Sequence, residues 1–281
     1  MPNRRIFIKE SLLSIALAGL STHVLGINLI QRHQTSKPKK KIKLRFAIAS
    51  DGHYGQRGTD YEKDHENLVQ WLNEAHNLEP IDLLIINGDL VHDAPQLLKE
   101  VKSSYYDRLK MPFYAVPGNH DYADAKIWKS VFGFEDNYAF QKNDVGFVLA
   151  NTSDTKGTYR CPDNAFLKNE LDKLTTLTTV FVILHIPPHF WVPESPFIEC
   201  ADTIKLLHSY PNVKAVFHGH DHSLDGAFYT NKLPHFFDSH IGGSWGTTYK
   251  GYRLVEVDEN HKVSTYQVNA SENPILNQTE L

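Results

Sequence analysis

The stretch LRFAIASDGH, residues 44–53, runs from an apolar segment directly into an acid, a glycine and a histidine. An apolar run that stops at Asp51-Gly52 predicts a buried strand followed by a loop. Four more apolar runs along the chain also end in short polar clusters. These clusters are Gly88-Asp89, Gly118-Asn119-His120-Asp121, His185-Ile186-Pro187-Pro188 and Gly219-His220-Asp221-His222.

The five clusters are predicted to meet in space. In α/β sheets, ligands bind beyond the carboxyl ends of the strands, so clusters that follow strands share one crevice. A mixture of carboxylates and imidazoles suits Zn, Fe or Mn, whereas Ca prefers oxygen ligands alone. Two such metals that share one carboxylate can orient a phosphate and activate a water.

The segments between the clusters predict one α/β domain. Helices are expected over 60–77, 95–109, 163–174 and 201–209, and in the first of these segments apolar residues recur with helical spacing. The pattern begins as strand, helix, strand and closes with antiparallel pairs, which indicates mixed sheets. The predicted strands cover 44–50, 81–87, 113–116, 137–141, 146–151, 180–186, 213–217, 235–241, 251–257 and 262–267.

The ordered set of clusters resembles the five motifs of the calcineurin-like metallophosphoesterases. The resemblance spans residues 44 to about 250, and it is nearest to the cyclic-nucleotide phosphodiesterase-like branch. It implies an α/β fold in which a β-sandwich of two mixed sheets is flanked by helices, giving four αββα layers.

The resemblance also implies a set of metal ligands. Two divalent or trivalent ions, Mn, Fe or Zn, would each have three ligands of their own and would share a bridging carboxylate. The implied ligands are Asp51, His53 and His222 for the first metal, Asn119, His185 and His220 for the second, and Asp89 as the bridge.

A catalytic histidine is implied as well. By resemblance, His120 donates a hydrogen bond to the phosphate and protonates the leaving group. In several branches of the family, an aspartate three residues after the bridging aspartate orients this histidine. Here that position holds His92, and Asp93 follows it, so Asp93 is the predicted orienting residue.

The implied reaction is hydrolysis of a small-molecule phosphate mono- or diester by attack of a metal-bridging hydroxide. Two alternatives stay open. One is a hydrolase of the same fold that acts on a lipid or cell-wall pyrophosphate. The basic segment that precedes the predicted domain, if it lies near a membrane, would favour such a substrate. The other is a metal-loaded phosphate-binding module without turnover, against which the presence of every ligand position argues.

The amino terminus predicts export. Arg4-Arg5-Ile6-Phe7-Ile8-Lys9 precedes a short apolar segment and resembles a twin-arginine signal, with a plain secretory signal or an uncleaved anchor as alternatives. We therefore predict a signal peptide or anchor over 1–26, a basic linker over 27–43, the phosphoesterase domain over 44–270 and a tail over 271–281. The twin-arginine translocation machinery is a predicted partner, and the periplasm or cell envelope is the predicted location.

Charge is distributed unevenly along the 281 residues. The formal net charge is −4, yet residues 31–45 carry seven lysines and arginines and no acid, so the rest of the chain is acidic. An acidic body argues against nucleic-acid binding, which needs a basic face. The basic segment is predicted to be a solvated linker, with contact to anionic lipid headgroups as the alternative. Cys161 and Cys200 either pair or remain as separate thiols.

Overall fold

The computed structural model describes residues 41–270 and 275–280. The predicted signal peptide or anchor and nearly all of the predicted linker lie outside these residues. In the described part of the chain, no helix combines the length and the apolar character needed to cross a bilayer.

Twelve strands and five α-helices are described, with short 3₁₀ turns on either side of the second helix. The strands are β1 (Ile42–Ala49), β2 (Leu83–Asn87), β3 (Phe113–Val116), β4 (Tyr138–Lys142), β5 (Val145–Leu149), β6 (Thr179–Ile183), β7 (Val213–His218), β8 (Ala227–Thr230), β9 (Leu233–Phe237), β10 (Gly251–Asp258), β11 (Val263–Asn269) and β12 (Ile275–Glu280). The helices are α1 (Tyr61–Leu78), α2 (Leu98–Ser104), α3 (Ala125–Phe132), α4 (Asn164–Lys173) and α5 (Ala201–His208).

The strands form two six-stranded mixed sheets. The first has the order β12-β11-β10-β1-β2-β3, and the second has the order β4-β5-β6-β7-β9-β8. Strands β1, β2 and β3 run parallel in the first sheet, as do β5, β6, β7 and β9 in the second. The predicted fold, two mixed sheets flanked by helices, is therefore confirmed.

Alternation along β1 shows how the layers are built. Leu44, Phe46 and Ile48 face the core between the sheets, while Ala47 and Ala49 face the helices on the other side. This follows from the two-residue period of a strand, which sends successive side chains to opposite faces. Because both faces of β1 are covered from Phe46 onwards, this half of the strand is continuously apolar.

Aromatic rings fill the core between the sheets. The ring of Phe46 lies 5.0 Å from that of Phe147 and 5.2 Å from that of Phe181, and both partners belong to the second sheet. All three side chains are fully buried, and each such burial contributes about 1.5–3 kcal/mol. These contacts fix one sheet against the other.

Helices cover the two outer faces. Leu68 and Leu72 of α1 lie four residues apart and pack on the first sheet, and Leu167 and Leu171 of α4 do the same on the second. This spacing places each pair on one side of its helix. The molecule thus has the four layers that the sequence predicted.

Helix α3 and strands β8 and β12 were not predicted. The side chain of Asp124 accepts a hydrogen bond from Ile127 N at 2.7 Å, and Gly133 ends the helix with a φ of 84°. Both are ordinary helix boundary signals, so the sequence contained evidence for α3. Strand β12 lies in the predicted tail and pairs antiparallel with β11.

The helix predicted over 95–109 is shorter than expected. Pro95 opens a 3₁₀ turn, α2 occupies only Leu98–Ser104, and Tyr105 leaves the helical region with φ −128°. A second 3₁₀ turn then leads towards β3.

Cys161 and Cys200 form a disulfide, which answers the question that the sequence left open. The bond joins the segment before α4 to the residue that precedes α5. It closes a loop of 39 residues. Such a cross-link reduces the conformational freedom of the unfolded chain.

We expect removal of this disulfide to lower the free energy of unfolding by about 2–4 kcal/mol. Urea unfolding of the oxidised protein and of a Cys161→Ser/Cys200→Ser double variant measures the difference. Reductant should shift the midpoint of the wild type and leave that of the double variant unchanged. Equal urea midpoints for the wild type and the double variant, both measured without reductant, would contradict the prediction.

Candidate metal centre

The residues that follow five strand ends come together at one edge of the sandwich. Four of the predicted ligands, Asp51, His53, Asp89 and His220, adopt positive φ angles between 46° and 69°. Such angles are unfavourable for residues other than glycine and persist where the surrounding structure imposes them. The loops are therefore shaped to bring these side chains together.

Two glycines allow the loops after β2 and β3 to touch. Gly88 has a φ of 84°, and a Cβ placed there would lie 2.9 Å from the Cα of Gly118. A Cβ on Gly118 would in turn overlap the backbone nitrogen of Asp89. Only glycine fits at this crossing, which explains its presence before Asp89 and Asn119.

The residues predicted to bind the first metal form one compact cluster. His53 Nε2 lies 3.0 Å from His222 Nε2, and His222 Nε2 lies 3.2 Å from Asp51 Oδ1. All three side chains are buried, and their ligand atoms lie within 4.8 Å of one another. This spacing suits a single bound ion.

The residues predicted to bind the second metal form a neighbouring cluster. His185 Nε2 lies 3.2 Å from Asp89 Oδ2, and the ligand atoms of Asp89, His185 and His220 lie within 4.8 Å of one another. Asp89 Oδ2 is also 3.7 Å from His53 Nε2 of the first cluster. Asp89 thus lies between the two clusters, where a bridging ligand belongs.

Unsatisfied polar atoms test whether this centre fits a metal. His220 Nε2 and Asn119 Oδ1 are buried and have no hydrogen-bond partner among the described residues. Buried polar atoms are nearly always paired, so two unpaired ones among the residues predicted for one metal call for a ligand. His185 Nε2, the third such atom predicted for the second metal, lies beside the carboxylate of Asp89. The donor set of imidazole, carboxylate and amide therefore fits the implied ions.

The protonation states also suit metal binding. Burial lowers the pKa of His53 and of His220 to about 3, which leaves both imidazoles neutral at neutral pH. Burial would raise the pKa of Asp51, but the charges of His222 and His185 lower it to about 2. Neutral imidazoles and ionised carboxylates are the forms that bind metal ions.

His185 has the opposite shift. Burial would lower its pKa, but the neighbouring carboxylates of Asp89 and Asp51 raise it to about 9. In the metal-free protein, a proton on His185 therefore offsets part of the carboxylate charge. A bound cation would take over that role.

Hydrogen bonds outside the clusters hold the imidazoles in place. His185 Nδ1 donates to the carbonyl oxygen of Asn87 at 2.6 Å, and His222 Nδ1 donates to that of Trp245 at 3.1 Å. Both arrangements leave Nε2 free as the ligand atom. His53 Nδ1 instead lies 2.9 Å from His92 Nδ1, so one ring donates and the other accepts.

The two residues predicted to be catalytic are in contact. His120 Nδ1 lies 2.7 Å from Asp93 Oδ1, and the backbone nitrogen of His120 donates to Asp89 Oδ1 at 2.7 Å. His120 is partly exposed, and its ring lies 4.9 Å from that of His53. His120 therefore lies at the open side of the two clusters. His92 does not take the orienting role; its ring stacks on His120 at 4.7 Å.

Asp121 is a structural residue of the β3 loop. Its carboxylate accepts hydrogen bonds from Gly118 N at 2.8 Å and from Val91 N at 3.0 Å. Burial and the charge of Asp89 raise its pKa to about 7. The two hydrogen bonds stabilise the turn that follows β3.

Two further contacts beside the site were not predicted from the sequence. The ring of Trp245 stacks on that of His222 with centroids 4.3 Å apart. His218 Nε2 lies 2.9 Å from His235 Nδ1 in a buried pair of histidines. Neither contact has a signal in local sequence, because both partners come from distant segments.

Comparison with known proteins identifies relatives. The calcineurin-like phosphoesterase profile matches residues 44–224. The chain is 30% identical over 166 residues to a 3′,5′-cyclic-nucleotide phosphodiesterase of Nostoc sp.. The matched region covers 56% of this chain and 62% of that protein. It is 25% identical over 206 residues to a probable cyclic nucleotide phosphodiesterase of Fibrobacter succinogenes, covering 66% of this chain and 75% of that protein.

The fold has counterparts among solved structures. A dimetal phosphatase from Danio rerio superposes with a TM-score of 0.68 at 12% identity, covering 85% of this chain and 99% of that one. At this identity the similarity concerns the fold alone.

We expect Mn²⁺ to raise the melting temperature of the metal-free protein, because binding to the folded state alone stabilises it. An Asp89→Ala variant should lose most of this shift, since the residue between the clusters is gone. Differential scanning fluorimetry with and without Mn²⁺ measures both, and Asp202→Ala on the exposed side of α5 is the control. If Mn²⁺ raised the melting temperature of Asp89→Ala as much as that of the wild type, the predicted metal site would be wrong.

Proposed function

The chain belongs to the calcineurin-like phosphoesterase family, and from this membership we propose that it is an exported phosphodiesterase that acts on small phosphate diesters. The family is a class of dinuclear metal enzymes, so the chain is a metal-dependent phosphoester hydrolase. The observation that carries the proposal is the position of Asp89 between two buried ligand clusters, with His120 at their open side.

The two clusters would hold the metals. Asp51, His53 and His222 would bind one ion, and Asn119, His185 and His220 would bind the other, with Asp89 shared. When bound, such a pair lowers the pKa of a water and offsets the negative charge on the phosphate oxygens.

His120 would deliver a proton to the leaving group. Its Nδ1 is engaged by Asp93 Oδ1 at 2.7 Å, so Nε2 is the atom available to the substrate. The Asp93 carboxylate fixes the orientation of the ring, so that a proton on Nε2 can be donated to the substrate. As the alcohol leaves, the proton on Nε2 passes to its oxygen and the ring returns to the neutral form held by Asp93.

Two observations favour a diester. The curated relatives are named as cyclic-nucleotide phosphodiesterases, and a cyclic nucleotide is a diester. The cavity beside His220 and His222, as the described residues form it, is lined by no lysine or arginine. A second phosphate group would find no countercharge there, which disfavours the pyrophosphate alternative.

Export is supported by two independent features. The Arg4-Arg5 motif suits the twin-arginine machinery, which we propose as a partner. The Cys161–Cys200 disulfide suits an oxidising compartment such as the periplasm or cell envelope. The basic linker is proposed to contact anionic lipid at the membrane surface.

We expect the Mn²⁺-loaded protein to hydrolyse bis(p-nitrophenyl) phosphate and an Asp89→Asn variant to lose this activity, because the shared carboxylate charge is removed. Release of p-nitrophenol and elemental analysis of bound metal measure the two effects. Bound metal without turnover of this diester, p-nitrophenyl phosphate or 3′,5′-cyclic AMP would refute the proposal in favour of a binding module.

The proton donor is tested separately. His120→Asn should lower kcat by about 10²–10⁴-fold, and Asp93→Asn by about 10–100-fold, because the second removes only the group that orients the first. Both variants should retain bound metal, as should the control Asp107→Asn at an exposed ion pair with Lys102. An Asp93→Asn variant as active as the wild type would show that Asp93 does not orient His120.

A further inference from the structure

A cavity of about 420 Å³ opens beside the predicted metal ligands. Residues 192–196 form one wall, and residues 220–224 with Trp245 form the other. The second wall includes His220 and His222. A substrate whose phosphate lies at the predicted metal ligands could therefore place its substituent in this cavity.

Trp245 is fixed in position yet open to solvent. Its ring is nearly parallel to that of His222, with an interplanar angle of 8°, and it lies 5.0 Å from the ring of His53. Even so, 43% of Trp245 is exposed. Tryptophan is mostly buried in folded proteins, so a rigidly held and exposed indole suits contact with a ligand.

The remaining lining is mainly acidic and apolar. Glu194 and Asp221 contribute two carboxylates, and no lysine or arginine lines the cavity among the described residues. Asp221 Oδ1 accepts a hydrogen bond from Ser223 N at 2.9 Å. Two serines and four apolar residues complete the walls: Ser195, Ser223, Val192, Pro193, Pro196 and Leu224.

From this lining we infer that the cavity binds the quaternary ammonium group of a choline-type phosphodiester, an inference that rests on the proposed phosphodiesterase function. An aromatic face and nearby carboxylates attract a cation. A trimethylammonium group has no hydrogen-bond donor, and its methyl groups pack well against apolar side chains. A neutral substituent would gain nothing from the charges of Glu194 and Asp221.

The test compares two esters that differ by one atom. They are p-nitrophenyl phosphocholine and p-nitrophenyl 3,3-dimethylbutyl phosphate, an analogue of the same shape in which an uncharged carbon replaces the ammonium nitrogen. In each reaction water forms the new bond to phosphorus, the bond to the p-nitrophenyl oxygen breaks, and p-nitrophenol is released. We expect the full-length Mn²⁺-loaded protein to show a kcat/KM about tenfold higher for the choline ester.

Variants assign this preference to the cavity. Glu194→Gln should reduce the ratio of the two kcat/KM values by about threefold, because one of the attracting charges is lost. Trp245→Leu should reduce the ratio further, whereas Trp245→Phe should keep most of it because a ring remains. Glu259→Gln, in the turn that follows β10 at the opposite end of the first sheet, should leave both rates unchanged.

A binding measurement keeps this inference separate from the proposed function. Calorimetric titration of phosphocholine and of 3,3-dimethylbutyl phosphate reports the preference even without turnover. If bis(p-nitrophenyl) phosphate is not hydrolysed, the proposed function fails, and the binding ratio still decides the inference. Equal affinities and equal rates for the two members of each pair would overturn it.

Discussion

The position of Asp89 is the constraint on which the site depends. Its Oδ2 faces His185 Nε2 at 3.2 Å and His53 Nε2 at 3.7 Å, while its Oδ1 accepts the backbone N–H of His120. One carboxylate therefore links two ligand clusters and the proposed proton donor. It can do so because Gly88 turns the chain immediately after β2 and because Gly118 leaves room for the carboxylate. Burial of this negative charge without a partner would cost free energy. The surrounding imidazoles and any bound cation therefore stabilise the same carboxylate that positions them.

The sandwich explains how loops from two different sheets reach that carboxylate with fixed geometry. Asp51, Asp89 and Asn119 follow strands of the first sheet, whereas His185 and His220 follow strands of the second. The relative position of the two groups is set by the aromatic core, where Phe46 contacts rings from the opposite sheet. Interiors of this kind are closely packed and deform little. A shift of about 1 Å between catalytic groups can lower the rate about 10²-fold. The packing of the core therefore supports the reaction by keeping these groups in place.

The sequence predicted most of what is encoded locally, helix α3 excepted, and missed what depends on distant contacts. Apolar runs ending in Gly-Asp or Gly-His marked the strands and their loops, because a buried strand needs a continuous apolar run. The roles of individual ligands came from the family resemblance and stay predictions, although the structure brings all of these residues together. The stacking of Trp245 on His222 joins segments that the sequence separates, and no local pattern reports it. The same holds for β12, whose place is set by pairing with β11 rather than by its own composition.

The disulfide connects the proposed compartment of the protein to its proposed choice of substrate. Residues 192–196 wall the cavity, and the chain returns from them to Ile198 and Cys200, whose backbone nitrogens donate to Pro187 O and Pro188 O at 3.0 Å. The Cys161–Cys200 bond secures the end of this return. The predicted metal ligands, in contrast, are held by the strands of the two sheets. Reducing conditions would therefore loosen the wall that we propose binds the substituent and leave the two ligand clusters in place. On this proposal, an oxidising environment maintains selectivity more than it maintains the hydrolysis itself.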